Sequence, residues 1–217
     1  MNLPTKITFS RIIAIVVLII TLFILSFFPD LSLPVLGNTR INFIFLIIFV
    51  FFLIASYTDH LDGKLARKNN QVTDLGKFLD PVADKLLVNS MLIFLIAPSI
   101  FAPYTFNQIG IPAWCVIIMV ARDIVVDALR FIGAQKGVVI AANIFGKLKT
   151  VLQMVAISVV LLNDFPFHYL YPENTNHYLT VTSFLVYAAT LVSLLSGIIY
   201  VIQNKHVFAS NEKKEEK

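Results

Sequence analysis

Asp59 and Asp62 stand three apart, and Asp80 and Asp84 four apart, within the run DHLDGKLARKNNQVTDLGKFLDPVADK from Asp59 to Lys85. Residues at these spacings share one helix face, so each pair presents two carboxylates together. The polar link KNNQVTD between the pairs lets their helices run antiparallel as neighbours, which brings four carboxylates to one place. Like charges that close repel, and some stay protonated unless cations neutralise them. Oxygen-only ligands suit Mg²⁺, Mn²⁺ or Ca²⁺. Four carboxylates can hold two such ions, an arrangement that clamps the attacking and leaving oxygens of phosphoryl chemistry. The plainer alternative is a set of surface salt bridges with Lys64, Arg67, Lys77 and Lys85; two facing acidic pairs weigh against it. No Cys or His cluster suggests zinc, and His60 faces away from Asp59 on a helix.

Gly63 and Gly76 fall in the same stretch of a chain with only 8 glycines. Glycine lowers helix stability. Its use here is either a helix end or tight helix contact, or close backbone approach to a ligand. Arg67 offers a planar fork suited to phosphate.

The elements that must position these residues are apolar. The chain has 217 residues, 58% of them hydrophobic, with only 14% charged and a mean hydropathy of +0.82. A soluble domain carries about 25% charged residues, so this composition is that of a polytopic membrane protein. A helix needs about 20 apolar residues to cross a bilayer. Six stretches qualify, near 11–28, 41–58, 78–98, 111–133, 147–165 and 178–202. The first is expected to be a retained span, because its apolar run is longer than a signal core and lacks an A-x-A cleavage site. Short connections predict one six-helix domain over 1–204, and the tail 205–217, ending NEKKEEK, is expected to be solvated and disordered. The single cysteine, Cys115, excludes an intramolecular disulfide.

Loop cations set orientation. With six spans, Lys6 and Arg11, then Lys64, Arg67, Lys68 and Lys77, then Arg130, Lys136, Lys147 and Lys149, then Lys205, Lys213, Lys214 and Lys217 fall on one face. The other face has Arg40; PSIFAPYTFNQIG and NDFPFHYLYPENTNH contain no Lys or Arg. The expected topology has both termini and the aspartates on the cytoplasmic side. The basic face, with a formal net charge of +4, suits anionic lipids and anionic substrates.

Asp59-x-x-Asp62-Gly63-x-x-Ala66-Arg67, followed by Gly76-x-x-x-Asp80-x-x-x-Asp84, resembles the complete signature of the CDP-alcohol phosphotransferases. Taking each position at roughly one in twenty, the match arises by chance on the order of 10⁻¹⁰ per start site, which makes it a specific signal. The resemblance implies an all-α membrane enzyme of six transmembrane helices, usually a homodimer, with its active site at the cytoplasmic ends of helices 2 and 3. It implies transfer of a phosphatidyl group from a CDP-linked lipid to an alcohol, with release of CMP. It implies that Asp59, Asp62, Asp80 and Asp84 bind two ions, Mg²⁺ or Mn²⁺. By the same resemblance Asp84 is also general base on the acceptor hydroxyl. Asp62, Gly63, Ala66, Arg67 and Gly76 line the CDP-lipid pocket, with Arg67 on the pyrophosphate.

The second half speaks to the acceptor. Arg122 lies inside an apolar run, where a charge is costly and usually functional. Arg122 and Arg130 are eight apart, about 12 Å along a helix and close to one face; pairing with Asp123 and Asp127 is the structural alternative. Lys147 and Lys149 open the fifth span. Cations there oppose the helix dipole, and an anion held at that N-terminus offsets the penalty; the positive-inside bias is the simpler explanation. Arg122, Arg130 and Lys147 together suit an acceptor that carries phosphate. Arg122-Asp123, Leu129-Arg130, Lys136-Gly137 and Gly146-Lys147-x-Lys149-Thr150-x-x-Gln153 resemble the phosphatidylglycerophosphate synthase branch of the family. That resemblance implies CDP-diacylglycerol as donor and glycerol 3-phosphate as acceptor. Sister acceptors are inositol phosphate, phosphatidylglycerol and serine.

NLPTKITFSRI at the start also looks like a family segment, a short amphipathic piece before the first span, with Thr5 and Ile7 where members often have Asn and Leu. A simple interfacial anchor is the favoured reading of it. No nucleic acid partner is expected. Two other classes compete. A divalent-cation transporter would use carboxylates along a pathway, but the acids lie at one face with no charged path beyond. An inactive scaffold fits poorly, because the acidic constellation is intact.

Overall fold

The structure is a computed structural model. It describes residues 3–25, 27, 36, 37, 39, 41–68, 74–96, 111–138, 140, 144–170, 172 and 179–205, with the side chains at 3, 4, 25, 59–68, 74, 75, 77 and 78 outside that description. Six α-helices follow in order: α1 Leu3–Leu25, α2 Phe43–Lys68, α3 Asp74–Ile96, α4 Ala113–Gln135, α5 Ile144–Leu161 and α6 Val181–Gln203, with a short 3-10 helix at Phe167–Leu170. The helices match the six apolar stretches expected from sequence. The opening segment is no separate element: α1 runs unbroken from Leu3. Both aspartate pairs lie in regular helix, because α2 continues to Lys68 and α3 begins at Asp74. The link at 69–73, the whole loop PSIFAPYTFNQIG and the tail beyond Lys205 lie outside the described residues.

Among the described residues three helical segments are long and apolar enough to cross a membrane: Thr5–Ile24, Ile144–Leu161 and Val181–Gln203; Phe43–Thr58 is apolar but shorter. Large apolar side chains face outward on α1 (Val17, Phe23), α2 (Ile54), α4 (Ile117, Ile124) and α6 (Phe184, Leu191). Helices apolar on the outside as well as inside belong in lipid. This is a membrane protein.

The chain divides into two compact units, 1–110 with 157–177, and 111–156 with 178–217. In the first, α1, α2 and α3 pack against one another. Ile15 and Leu22 of α1, Phe45, Ile48 and Phe52 of α2, and Leu87, Met91 and Leu95 of α3 are buried; the Phe45 and Phe94 rings lie 6.2 Å apart. Asn42 starts α2 by accepting the Ile44 N–H at 2.9 Å, the usual N-cap arrangement.

In the second unit α4 packs on α6. The buried face of α4 is Cys115, Val116, Met119, Asp123, Val126, Leu129 and Gly133. Its counterpart on α6 includes Ala189, Thr190, Ser193, Ser196 and Gly197, and such small residues let membrane helices approach closely. Trp114 stacks on Tyr187 with centroids 5.8 Å apart. Helix α4 ends in a reversal: Val138 N–H reaches Gly133 O at 2.8 Å and Gly137 N–H reaches Ala134 O at 3.0 Å. Gly137 has φ +72° there, the left-handed cap that favours glycine. Gly133 must be small as well, because a Cβ would stand 2.8 Å from Ile140 Cδ1. Thr180 caps α6, its side chain accepting the Ser183 N–H at 3.2 Å.

Candidate active site

Asp80 and Asp84 lie one turn apart on α3, both half-buried. Gly76 precedes Asp80 by four residues, so Gly76, Asp80 and Asp84 form one stripe along the helix. Pro81 sits inside the same helix and withholds an N–H from the carbonyl four residues earlier. Thr8 of α1 donates its hydroxyl to Asp80 Oδ1 at 2.9 Å. Thr8 is 1% exposed, and Thr5 and Arg11 on the same face are also buried. The first turns of α1 therefore present buried polar groups to their neighbours, which a simple interfacial anchor does not require.

Asp59, Asp62, Gly63, Ala66 and Arg67 fall on the last turns of α2, and their side chains lie outside the described residues, as does that of His60. Among the described residues no three or more His, Cys, Asp or Glu gather to hold a metal; two of the four expected ligands are outside that set. The described pair offers oxygen donors only, with one carboxylate already oriented by a hydroxyl. That chemistry fits hard ions such as Mg²⁺ or Mn²⁺.

The second unit holds a polar cluster between apolar helices. Arg122 donates from Nη1 to Asp123 Oδ1 at 3.0 Å and from Nη2 to Ser196 Oγ at 2.6 Å. Lys149 Nζ donates to both oxygens of Asp123, at 2.8 and 2.7 Å. Asp123 and Lys149 are 7% and 5% exposed, so the ion pair is shielded from solvent and weakly screened. Two cations thus meet on the one carboxylate of Asp123. A Cβ on Gly146 would lie 3.7 Å from Arg122 Nη2, which sets the guanidinium beside the first turn of α5. Backbone N–H groups are unpaired in a first helical turn, so cations and helix N-terminus together favour an anion there.

Arg130 is exposed. It donates from Nε to Tyr200 Oη at 2.9 Å, one turn along α6 from the Ser196 that holds Arg122. Lys147 is also exposed, on a different side of α5 from the buried Lys149. Gln153, one turn beyond Lys149, is 1% exposed and neither its Nε2 nor its Oε1 has a hydrogen-bond partner among the described residues.

The structure thus places Arg122 in a cationic cluster and puts Asp80 and Asp84 on one face of α3. It shows the Arg122–Asp123 pair that the sequence offered as the structural alternative, and it adds contacts that sequence reasoning did not supply. Asp123 and Lys149 stood in the family-like pattern, and their spacing within it gave no sign that they meet. Thr8 and Ser196 touch partners more than seventy residues away, for which no local signal exists.

A model of the CDP-alcohol phosphatidyltransferase family matches residues 1–199. Among similar proteins is the CDP-diacylglycerol–glycerol-3-phosphate 3-phosphatidyltransferase of Bacillus subtilis, 43% identical over 166 residues, covering 76% of this chain and 79% of that one. The enzyme of the same name from Mycoplasma pneumoniae is 36% identical over 210 residues, covering 93% and 87%. That of Rickettsia bellii is 33% identical over 207 residues, covering 95% and 97%.

Proposed function

Because the chain belongs to the CDP-alcohol phosphatidyltransferase family, we propose that it transfers the phosphatidyl group of CDP-diacylglycerol to sn-glycerol 3-phosphate, giving phosphatidylglycerophosphate and CMP. Relatives of that name align along most of their length. The observation that carries the acceptor assignment is the Arg122–Asp123–Lys149 cluster. Two cations gathered on one carboxylate beside a helix N-terminus suit an acceptor that itself bears phosphate. Arg122, Arg130 and Lys147 were expected to form this subsite; the contacts of Asp123 favour adding Lys149, while Arg130 and Lys147 are exposed.

The donor half uses the aspartates. Asp59, Asp62, Asp80 and Asp84 hold the divalent ions, Mg²⁺ or Mn²⁺ and two per site. When bound, these ions polarise the β-phosphate and stabilise charge on the departing CMP. Gly63, Ala66 and Gly76 allow close approach of the nucleotide, with Arg67 on its pyrophosphate. Asp84 takes the proton of the acceptor hydroxyl as its oxygen bonds to phosphorus and the bond to CMP breaks. The enzyme forms one domain over 1–204 with six membrane spans, both termini and the site cytoplasmic, and works as a homodimer. A site at the helix ends meets a donor whose acyl chains lie in lipid and whose nucleotide lies in water.

The test is CMP release by purified protein in detergent with CDP-diacylglycerol, Mg²⁺ or Mn²⁺, and a panel of acceptors. Release with glycerol 3-phosphate alone, abolished by EDTA, is expected. Release only with inositol phosphate, phosphatidylglycerol or serine would keep the chemistry and refute the acceptor. Metal flux in sealed vesicles without CMP release would refute the enzyme.

A further inference from the structure

We propose that Thr8 is a positioning residue for Asp80: its hydroxyl orients the carboxylate that the preceding section assigns to metal binding, and the inference rests on that assignment. The sequence signature contains no residue of α1, so nothing in the aspartate motif points to Thr8.

Three polar residues, Thr5, Thr8 and Arg11, occupy one face of the first turns of α1 and are 3%, 1% and 5% exposed. Farther along the helix Ile15 and Leu22 are the buried residues. Lys6, Phe9 and Ser10 are exposed. The change from polar to apolar therefore occurs on the inward face. A helix serving only as an anchor gains nothing from burying hydroxyls and a guanidinium, because each loses water and needs a partner. Other threonines in these helices follow a plainer habit. Thr21, Thr58, Thr150 and Thr190 donate to carbonyls four residues back in their own helices. Thr8 reaches across 72 residues to a carboxylate.

The direction of the bond follows from the groups. An ionised carboxylate only accepts, so the threonine hydroxyl donates, and bonds to a charged acceptor are stronger than neutral ones. Held at Oδ1, the carboxylate of Asp80 loses rotational freedom while Oδ2 stays outside that bond. Partners of this kind orient ligating carboxylates, and their loss weakens metal affinity or activity by about 10- to 100-fold.

The experiment compares Thr8→Val, which keeps the shape and removes the hydroxyl, with Thr8→Ser, which keeps the hydroxyl, in the full chain in detergent. Thr8→Ala, which adds no bulk, is measured alongside as a second hydroxyl deletion. Mn²⁺ affinity is read by the spectroscopic signal of free Mn²⁺ in the absence of lipid donor, and thermal stability is read on the metal-free protein. The expected result is a roughly 10- to 100-fold loss of Mn²⁺ affinity in Thr8→Val and Thr8→Ala, recovery in Thr8→Ser, and little change in metal-free stability. The KM for glycerol 3-phosphate at saturating Mn²⁺ should not move. Wild-type Mn²⁺ affinity in both deletions would overturn the proposal and leave Thr8 a packing contact. Asp80→Asn separates the two levels. If it binds Mn²⁺ as wild type does, the metal assignment of Asp80 fails. If it loses Mn²⁺ while the Thr8 deletions keep it, only the positioning role fails.

Discussion

Lys149 Nζ lies 2.8 Å and 2.7 Å from the two oxygens of Asp123. Arg122 reaches the same carboxylate at 3.0 Å, so two cations meet on one buried anion. Removing the anion and removing one cation are then unequal acts. Asp123→Asn leaves two like charges without their common partner, and breaking a buried pair this way typically costs about 3–5 kcal/mol. Lys149→Met leaves the Arg122–Asp123 pair intact. Thermal unfolding in detergent should show Asp123→Asn as the less stable of the two. Lys149→Met should raise the KM for glycerol 3-phosphate. The opposite order of stability would mean that Asp123 is not the counter-ion of both.

The acceptor subsite makes a graded prediction. Arg122→Ala, Arg130→Ala and Lys147→Ala should each raise the KM for glycerol 3-phosphate. The effect should be largest for Arg122, which is half-buried and bonded to Ser196, and smaller for the exposed Arg130 and Lys147. Hydrogen bonds to charged groups contribute about 1.5–3 kcal/mol, so a rise of roughly tenfold or more is expected for Arg122. Unchanged KM in all three variants would remove the subsite.

Asp84→Asn should abolish turnover while binding of CDP-diacylglycerol largely survives. The amide cannot take the acceptor proton, but it keeps the shape of the side chain. The check is CMP release set against donor binding in the same preparation. Turnover near wild type would take Asp84 out of the base role.

Two glycines should respond differently. A Cβ at position 197 would stand 2.7 Å from Arg122 Cγ. Gly197→Ala should therefore displace the Arg122 side chain and lower kcat/KM for glycerol 3-phosphate by roughly 10- to 100-fold, since a misplacement near 1 Å has effects of that order. At Gly137 a Cβ meets nothing within 4 Å but the backbone has φ +72°. Gly137→Ala should cost about 1 kcal/mol of stability through backbone strain alone and leave the kinetics near wild type. Paired melting curves and acceptor titrations separate the two effects.

The pairing of the aspartates along the chain was legible because it is local. Spacings of three and four residues place Asp59 with Asp62 and Asp80 with Asp84 once the segments are helical, and the apolar runs on either side make them so. The same reasoning found the helices and the odd charge of Arg122 in an oily stretch. The family resemblance, not spacing, marked Gly137, and it did not say why a glycine is needed: the reversal there demands a left-handed backbone. Tertiary structure decided the rest. Lys147 and Lys149 sit two residues apart, about 200° around a helix, so only one can face inward. Sequence alone offers no reason to choose, and the choice fell to the position of Asp123 on α4. Likewise Thr8 meets Asp80 only because α1 packs on α3. Helical periodicity is short-range and readable along the chain. Which distant face each stripe meets depends on packing between helices, and the sequence of either helix alone does not encode it.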